Sequence, residues 1–186
     1  MSYDHVVDQN IFPSFVCSCI PQIDMMEVLE EAYQVQLTYP SENVSNEGGY
    51  HSPKFVGTKF LKLRDVVEEF CNDLLYQKRL ALEVQNIEYW CNINKSYNYN
   101  VMHSHGRADL IGIYYVKVPP NSGNLVVMRN DGSQYCDLYE NRADMLEYVT
   151  EPETGRLYIL PGHLWHYVTG SNSEQDRISV SFNIYT

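Results

Sequence analysis

The chain has 186 residues and a mass of 21.6 kDa, the size of one ordinary domain, which disfavours an enzyme with a separate cofactor module. Hydrophobic residues at 44% and charged residues at 20% supply enough apolar surface for one core, 1–186, and too little net polarity for a disordered chain. A net charge of −11 repels phosphate backbones and disfavours nucleic acid as a partner.

Residues 11–20 (IFPSFVCSCI) are apolar but contain Pro13, follow Asp4 and Asp8, and are far shorter than the roughly 20 residues of a membrane span. They read as a first strand with Pro13 near an edge, where a missing N–H is harmless, and no leader or membrane anchor is visible. The five Cys fall at irregular spacings without a C-x-x-C pair, which suits a reducing cytoplasm. A helix is expected over 22–36, where Ile23, Met26, Glu30 and Tyr33 share a partly apolar face, and another over 59–79, where Leu63, Val67, Phe70 and Leu74 form a clean stripe. Between them, residues 40–58 are rich in Ser, Asn, Gly and Pro and read as a long loop carrying Tyr50 and a solvated His51 near the substrate mouth.

After residue 80 the period shifts from 3.6 to 2. Ile87, Tyr89, Cys91 and Ile93 alternate, and 108–118, 124–130, 144–150, 156–160, 165–169 and 177–185 each read as a short strand bounded by turn residues. Sixteen Tyr and six Phe fit such pleated surfaces. Helices first and strands afterwards imply a mainly β fold with flanking helices (α+β): an antiparallel sandwich or open barrel with the helices outside, without internal repeat or linker.

The last strand puts Arg177, Ser179, Ser181 and Asn183 on one face and Ile178, Val180, Phe182 and Ile184 on the other. His103 and His105, two apart, project from one face if 101–106 is extended; such a pair is by itself more often satisfied by hydrogen bonds than by an ion. A second cluster, P-G-H-L-W-H at 161–166, brings His166 toward them, and Arg177 follows eleven residues later across the turn at Gly170, Ser171 and Asn172. Imidazoles on one side of a first-row metal leave opposite positions open for a chelating co-substrate and O2, the logic of non-haem iron(II) oxygenases. An Arg on the next strand, with Ser179 beside it, suits a bidentate bond to a carboxylate.

The segments N-x-N-V-M-H-S-H (98–105), L-I-G-I-Y-Y-V-K-V-P-P-N-S-G-N-L (110–125), I-L-P-G-H-L-W-H (159–166) and D-R-I-S-V-S-F-N (176–183), with S-N-E-G-G-Y-H-S (45–52) upstream, resemble the iron(II)- and 2-oxoglutarate-dependent oxygenase superfamily, in its small bacterial and phage branch. The likeness runs from about residue 11 to the end of the chain. It implies a double-stranded β-helix, a cupin-like jelly roll with Fe(II) at its open end. It also implies His103 and His166 as iron ligands, Arg177 and Ser179 as the holders of the far carboxylate of 2-oxoglutarate, and Tyr115 or Tyr114 and Asn183 as further contacts to it. The superfamily usually carries His-x-Asp or His-x-Glu where this chain has His105, so a ligand set of His103, His105 and His166 keeps the ion's full double charge; Asp109 is the nearest carboxylate alternative.

Other polar and aromatic residues carry simpler readings. His163 is assigned to the surface or to a position behind the ligands, Arg107 to an ion pair with Asp109 or to an acidic substrate group, and Trp90 and Trp165 to packing. Loops 40–58 and 130–143 would shape the mouth. The expected function is oxidation by O2 of a peptide side chain or small metabolite, with 2-oxoglutarate converted to succinate. The alternatives are a three-His dioxygenase that needs no 2-oxoglutarate and a non-catalytic jelly roll with a wet, His-lined pocket.

Overall fold

The alternation of residues 177–185 becomes β11 (Arg177–Tyr185), which pairs antiparallel with β4 (Asn86–Asn94) on one side and β6 (Leu110–Lys117) on the other. The computed structural model describes residues 14–129 and 147–186. Around this central trio, β9 (Leu157–Pro161) and β1 (Cys17–Cys19) extend one side and β3 (Tyr50–His51) the other, giving a six-stranded sheet ordered β1-β9-β6-β11-β4-β3. A second sheet, ordered β2-β5-β10-β7-β8, contains β2 (Asn46–Glu47), β5 (Tyr99–His103), β7 (Leu125–Met128), β8 (Glu147–Thr150) and β10 (His166–Val168). Every described pairing is antiparallel, and the result is the β sandwich with outer helices that the strand pattern implied.

The apolar face of β11 makes the main core. Ile178, Val180, Phe182 and Ile184 are each fully buried and cluster with Tyr89, Cys91, Ile159 and residues of both helices; each such side chain contributes about 1.5–3 kcal/mol by leaving water. The polar face of β11 is turned the other way, toward the second sheet. There a smaller cluster of Ala108, Ile111, Leu125, Val127, Leu160 and Leu164 fills part of the space and leaves the remainder as a cleft.

Helix α1 (Met25–Thr38) starts at Asp24, whose carboxylate accepts the Met26 and Glu27 N–H groups at 3.0 and 3.3 Å. Its buried residues are Val28, Ala32 and Val35, not the expected Ile23, Met26, Glu30 and Tyr33 face. Of that face, Ile23 just ahead of the helix and Tyr33 are half-buried against the core, Tyr33 with its hydroxyl on Asp176, whereas Met26 is 58% exposed. Both stripes have helical spacing, and the one with small and β-branched side chains fits closely against the core. Helix α2 (Leu61–Gln77) buries Leu63, Val67 and Leu74 as expected, and adds Cys71 and Leu75 while Phe70 is only half-buried. The Phe60 N–H ahead of it donates to Glu31 of α1 at 2.9 Å, tying the helices together.

Three expectations are corrected. Residues 40–58 are not wholly loop, because β2 and β3 each add two residues to a sheet edge. His51 is not solvated: it is 3% exposed, with its ring stacked on Trp90. Trp165 is 44% exposed and does not pack in the core. Residues 11–13 with Pro13, 144–146 of the expected strand 144–150, the 130–143 loop and His5 lie outside the described residues. Cys17, Cys19, Cys71 and Cys91 are free thiols. No helix among the described residues is long and apolar enough to cross a membrane.

Candidate active site

Strand β10 lies between β5 and β7, in a register that puts His166 opposite His103 and Val127. The β5 pairing is irregular, because Val168, two residues on, meets Asn100, and such a bulge re-aims side chains beside it. Strand β5 stops at His103, and the chain leaves the sheet for a turn that carries His105. That turn is pinned by the His105 N–H donating to the Gly162 carbonyl at 2.9 Å and the Gly162 N–H donating to the Asp109 carbonyl at 3.0 Å. A Cβ on Gly162 would stand 2.1 Å from the Ala108 carbonyl oxygen, so only glycine admits this approach.

The three histidines meet at one end of the cleft. Their ring centroids are 4.4 to 5.2 Å apart, and one ligand nitrogen from each lies within 4.8 Å of the others. In every ring Nδ1 faces an acceptor. His103 donates to the Val101 carbonyl at 2.7 Å, His166 to the Leu164 carbonyl at 2.9 Å, and His105 to Asn183 Oδ1 at 2.5 Å. A carbonyl can only accept, so each proton sits on Nδ1 and each Nε2 keeps a free lone pair. Burial favours the neutral rings: it pushes His166 down to about 3 and His105 to about 4, with neighbouring His103 adding to both, and lowers His103 as well. Three neutral, pre-oriented imidazoles are a donor set that could hold a divalent first-row metal.

Arg177 enters the same cleft from β11 in the opposite sheet. It is 4% exposed, its Nε has no partner, and its guanidinium makes one long bond of 3.4 Å to the Tyr115 hydroxyl, with Cζ 5.2 Å from that ring's centre. A buried guanidinium with idle donors is costly unless an anion completes it. Ser179 lies beside it on the cleft wall with Tyr115. The metal-ligand fit therefore rests on three bare nitrogens, and the anion fit on an orphaned buried donor.

The remaining sequence-predicted residues divide. Tyr114, adjacent to Tyr115, points into the main core and not into the cleft. Asn183 does not line the cleft; it stands behind His105, so its assignment as a co-substrate contact is replaced by a contact to a histidine. The Asp109 carboxylate is exposed and accepts the Thr186 N–H at 2.9 Å, outside the histidine group. Arg107 and His163 are exposed in their turns, and Arg107 makes no ion pair with Asp109. Trp90 is buried as expected, but it also lies nearly parallel to His105 at 5.7 Å.

Sequence reasoning missed Asn92, Asn100 and Ser45, which also line the cleft. Asn92 is buried with its Oδ1 unpartnered while its Nδ2 donates to Ser181 at 3.0 Å. A signal for it existed, since Trp90, Asn92 and Asn94 occupy the alternate positions of β4, with Asn92 opposite Ser179 and Asn94 opposite Arg177.

Comparison with known proteins follows the same lines. Residues 88–183, more than half of the chain, match the family described as "Putative 2OG-Fe(II) oxygenase". Among solved structures, a Pseudomonas putida prolyl-4-hydroxylase superposes with a TM-score of 0.64 at 15% identity, covering 91% of each chain. A Trichoplax adhaerens prolyl hydroxylase in complex with a hypoxia inducible factor oxygen degradation domain peptide gives 0.65 at 12% identity, covering 91% of this chain and 83% of that one. HygX from Streptomyces hygroscopicus with nickel and 2-oxoglutarate bound gives 0.61 at 13%, covering 91% and 82%. These likenesses establish a shared fold, the double-stranded β-helix. No curated protein matches the chain.

Proposed function

The chain belongs to the 2OG-Fe(II) oxygenase family, and we propose that His103, His105 and His166 hold its iron while Arg177, Ser179 and Tyr115 hold 2-oxoglutarate. One observation carries this reading: ligand nitrogens of three histidines lie within 4.8 Å of one another at a cleft that also takes in a buried guanidinium with an unpartnered Nε. Bound iron(II) supplies the chemistry by which O2 oxidatively decarboxylates 2-oxoglutarate to succinate and places one oxygen in a substrate C–H bond. The protein contributes position and charge. Arg177 neutralises and orients the far carboxylate through paired N–H bonds, Tyr115 steadies the guanidinium, and the three Nδ1 bonds hold the imidazoles ready without reorganisation. With no carboxylate in the ligand set, the site keeps a larger positive charge, which favours a dianionic co-substrate inside an otherwise acidic protein.

Apart from Arg177 and the histidines, the polar cleft wall is neutral, formed by Ser45, Asn92, Asn100, Ser179 and Ser181. That supports an uncharged, hydrogen-bonding substrate such as a peptide side chain or small metabolite, hydroxylated at carbon; the two similar prolyl hydroxylases, one with a peptide bound, agree in kind. The free thiols suit work in a reducing cytoplasm. The test is anaerobic titration of the protein with iron(II) and then 2-oxoglutarate. A metal-to-ligand charge-transfer band appears in the wild type and is lost in His166→Ala; a folded, iron-loaded protein with no band refutes the reading. Oxygen consumption by iron-loaded protein without 2-oxoglutarate, unchanged in Arg177→Ala, would instead identify a three-His dioxygenase.

A further inference from the structure

We propose that Asn183 is a positioning residue for the metal site: its carboxamide, oriented from behind by Glu88, fixes His105 in the tautomer whose Nε2 lone pair is bare. The inference rests on the reading of His105 as a metal ligand and deepens it. His103 and His166 find their Nδ1 acceptors two residues upstream in their own chain segments, at Val101 and Leu164, so their tautomers are set locally. His105 alone relies on a side chain 78 residues away in sequence, on β11 of the other sheet.

The order of protons along this contact is forced from the surface inward. Lys54 can only donate, and its Nζ lies 2.8 Å from Glu88 Oε2; the Tyr185 hydroxyl donates to the same oxygen at 3.0 Å. These donors keep Glu88 ionised, and an ionised carboxylate can only accept. Glu88 is the direct cross-strand partner of Asn183 between β4 and β11, and Asn183 Nδ2 points at its Oε2 at 3.4 Å. With the NH2 group turned to Glu88, the amide must present Oδ1 to the other side, where His105 Nδ1 stands 2.5 Å away. An amide oxygen can only accept, so Nδ1 carries the proton and Nε2 does not. The ring plane is set separately by Trp90, which lies at 14° to His105. Asn183 therefore controls the edge of the imidazole and Trp90 its face.

The test reads the tautomer in metal-free protein, where it does not depend on any metal. Long-range 1H–15N correlation spectra of labelled protein are expected to show His105 protonated on Nδ1 in the wild type. In Asn183→Leu and in Glu88→Gln they are expected to show a mixture including the Nε2–H form. Zinc affinity, measured by competition with a chromophoric chelator, should fall about 10- to 100-fold in Asn183→Leu. It should recover in the double variant Asn183→Asp/Glu88→Gln, which exchanges donor and acceptor along the same path. A folded Asn183→Leu protein with wild-type tautomer and zinc affinity within threefold overturns the proposal; should that variant not fold, an unchanged His105 tautomer in Glu88→Gln overturns it equally. Wild-type protein that takes up no zinc, or a His166→Ala variant that binds it as tightly as wild type, overturns the metal-site reading itself, and the tautomer spectra show which of the two has failed.

Discussion

Replacing Arg177 by Met should weaken 2-oxoglutarate and strengthen the free protein at once, and this pairing separates an anion-binding Arg from a structural one. Arg177 is 4% exposed and has one bond, 3.4 Å to the Tyr115 hydroxyl, with Nε unpartnered. Met keeps much of the volume and removes the idle donors, each of which costs about 1–3 kcal/mol when buried without a partner. For a chain of this length, a gain of 1 kcal/mol raises Tm by about 2–4 °C. Against that, the complex loses a buried, charge-assisted pair, worth about 3–5 kcal/mol when one partner is removed, or roughly 10²- to 4 × 10³-fold in Kd at 1.4 kcal/mol per decade. The assay is anaerobic titration of the iron-loaded protein with 2-oxoglutarate beside a melt of each metal-free protein. Zinc affinity should not move, because Arg177 lies outside the histidine group. A Kd within threefold of wild type, or a Tm lowered by several degrees with no ligand present, would refute the argument.

Two further outcomes follow from the same geometry. His166, His105, His103 and His51 are all depressed by burial, the first two to about 3 and about 4, while the unfolded chain titrates near 6.5. Unfolding therefore takes up protons below that value, so the contribution of these rings to stability is intact above about pH 6.5 and declines as pH falls toward 4, by up to about 1.4 kcal/mol per pH unit per ring. Urea midpoints at pH 7, 6 and 5 should fall progressively and less steeply in His166→Phe; a flat profile contradicts the neutral cluster. Gly162→Ala drives a Cβ to within 2.1 Å of the Ala108 carbonyl and should cost about 1–3 kcal/mol in chemical denaturation. It should also lower zinc affinity by displacing His105, and wild-type values for both would show that the turn yields freely.

Much of the architecture is local and legible in the sequence. Alternation along 177–185 specifies which residues of β11 face apolar core and which face polar cleft, because side chains on a strand have a period of two wherever the strand lies. The stripe of α2 and the turn-bounded strands after residue 80 are legible for the same reason, and the H-x-H pair with the later His and Arg named the chemical groups of the site. Tertiary structure alone decided the relations between segments. Two helical stripes of α1 compete, and only the neighbouring surface selects Val28, Ala32 and Val35. His51 is buried and Trp165 exposed because of which sheet edges residues 46–51 join and where the 162–165 turn emerges, neither of which has a local signature. Tyr114 and Tyr115 are indistinguishable in sequence until the sheet assigns one to each face. Asn183 reads as one more polar residue of a cleft-facing strand, and only the pairing of β11 with β4, which sets it between Glu88 and His105, makes it the partner of a histidine. The groups and their faces follow from residue identity and backbone periodicity; their meeting at one point depends on long-range pairing of strands, which no local pattern encodes.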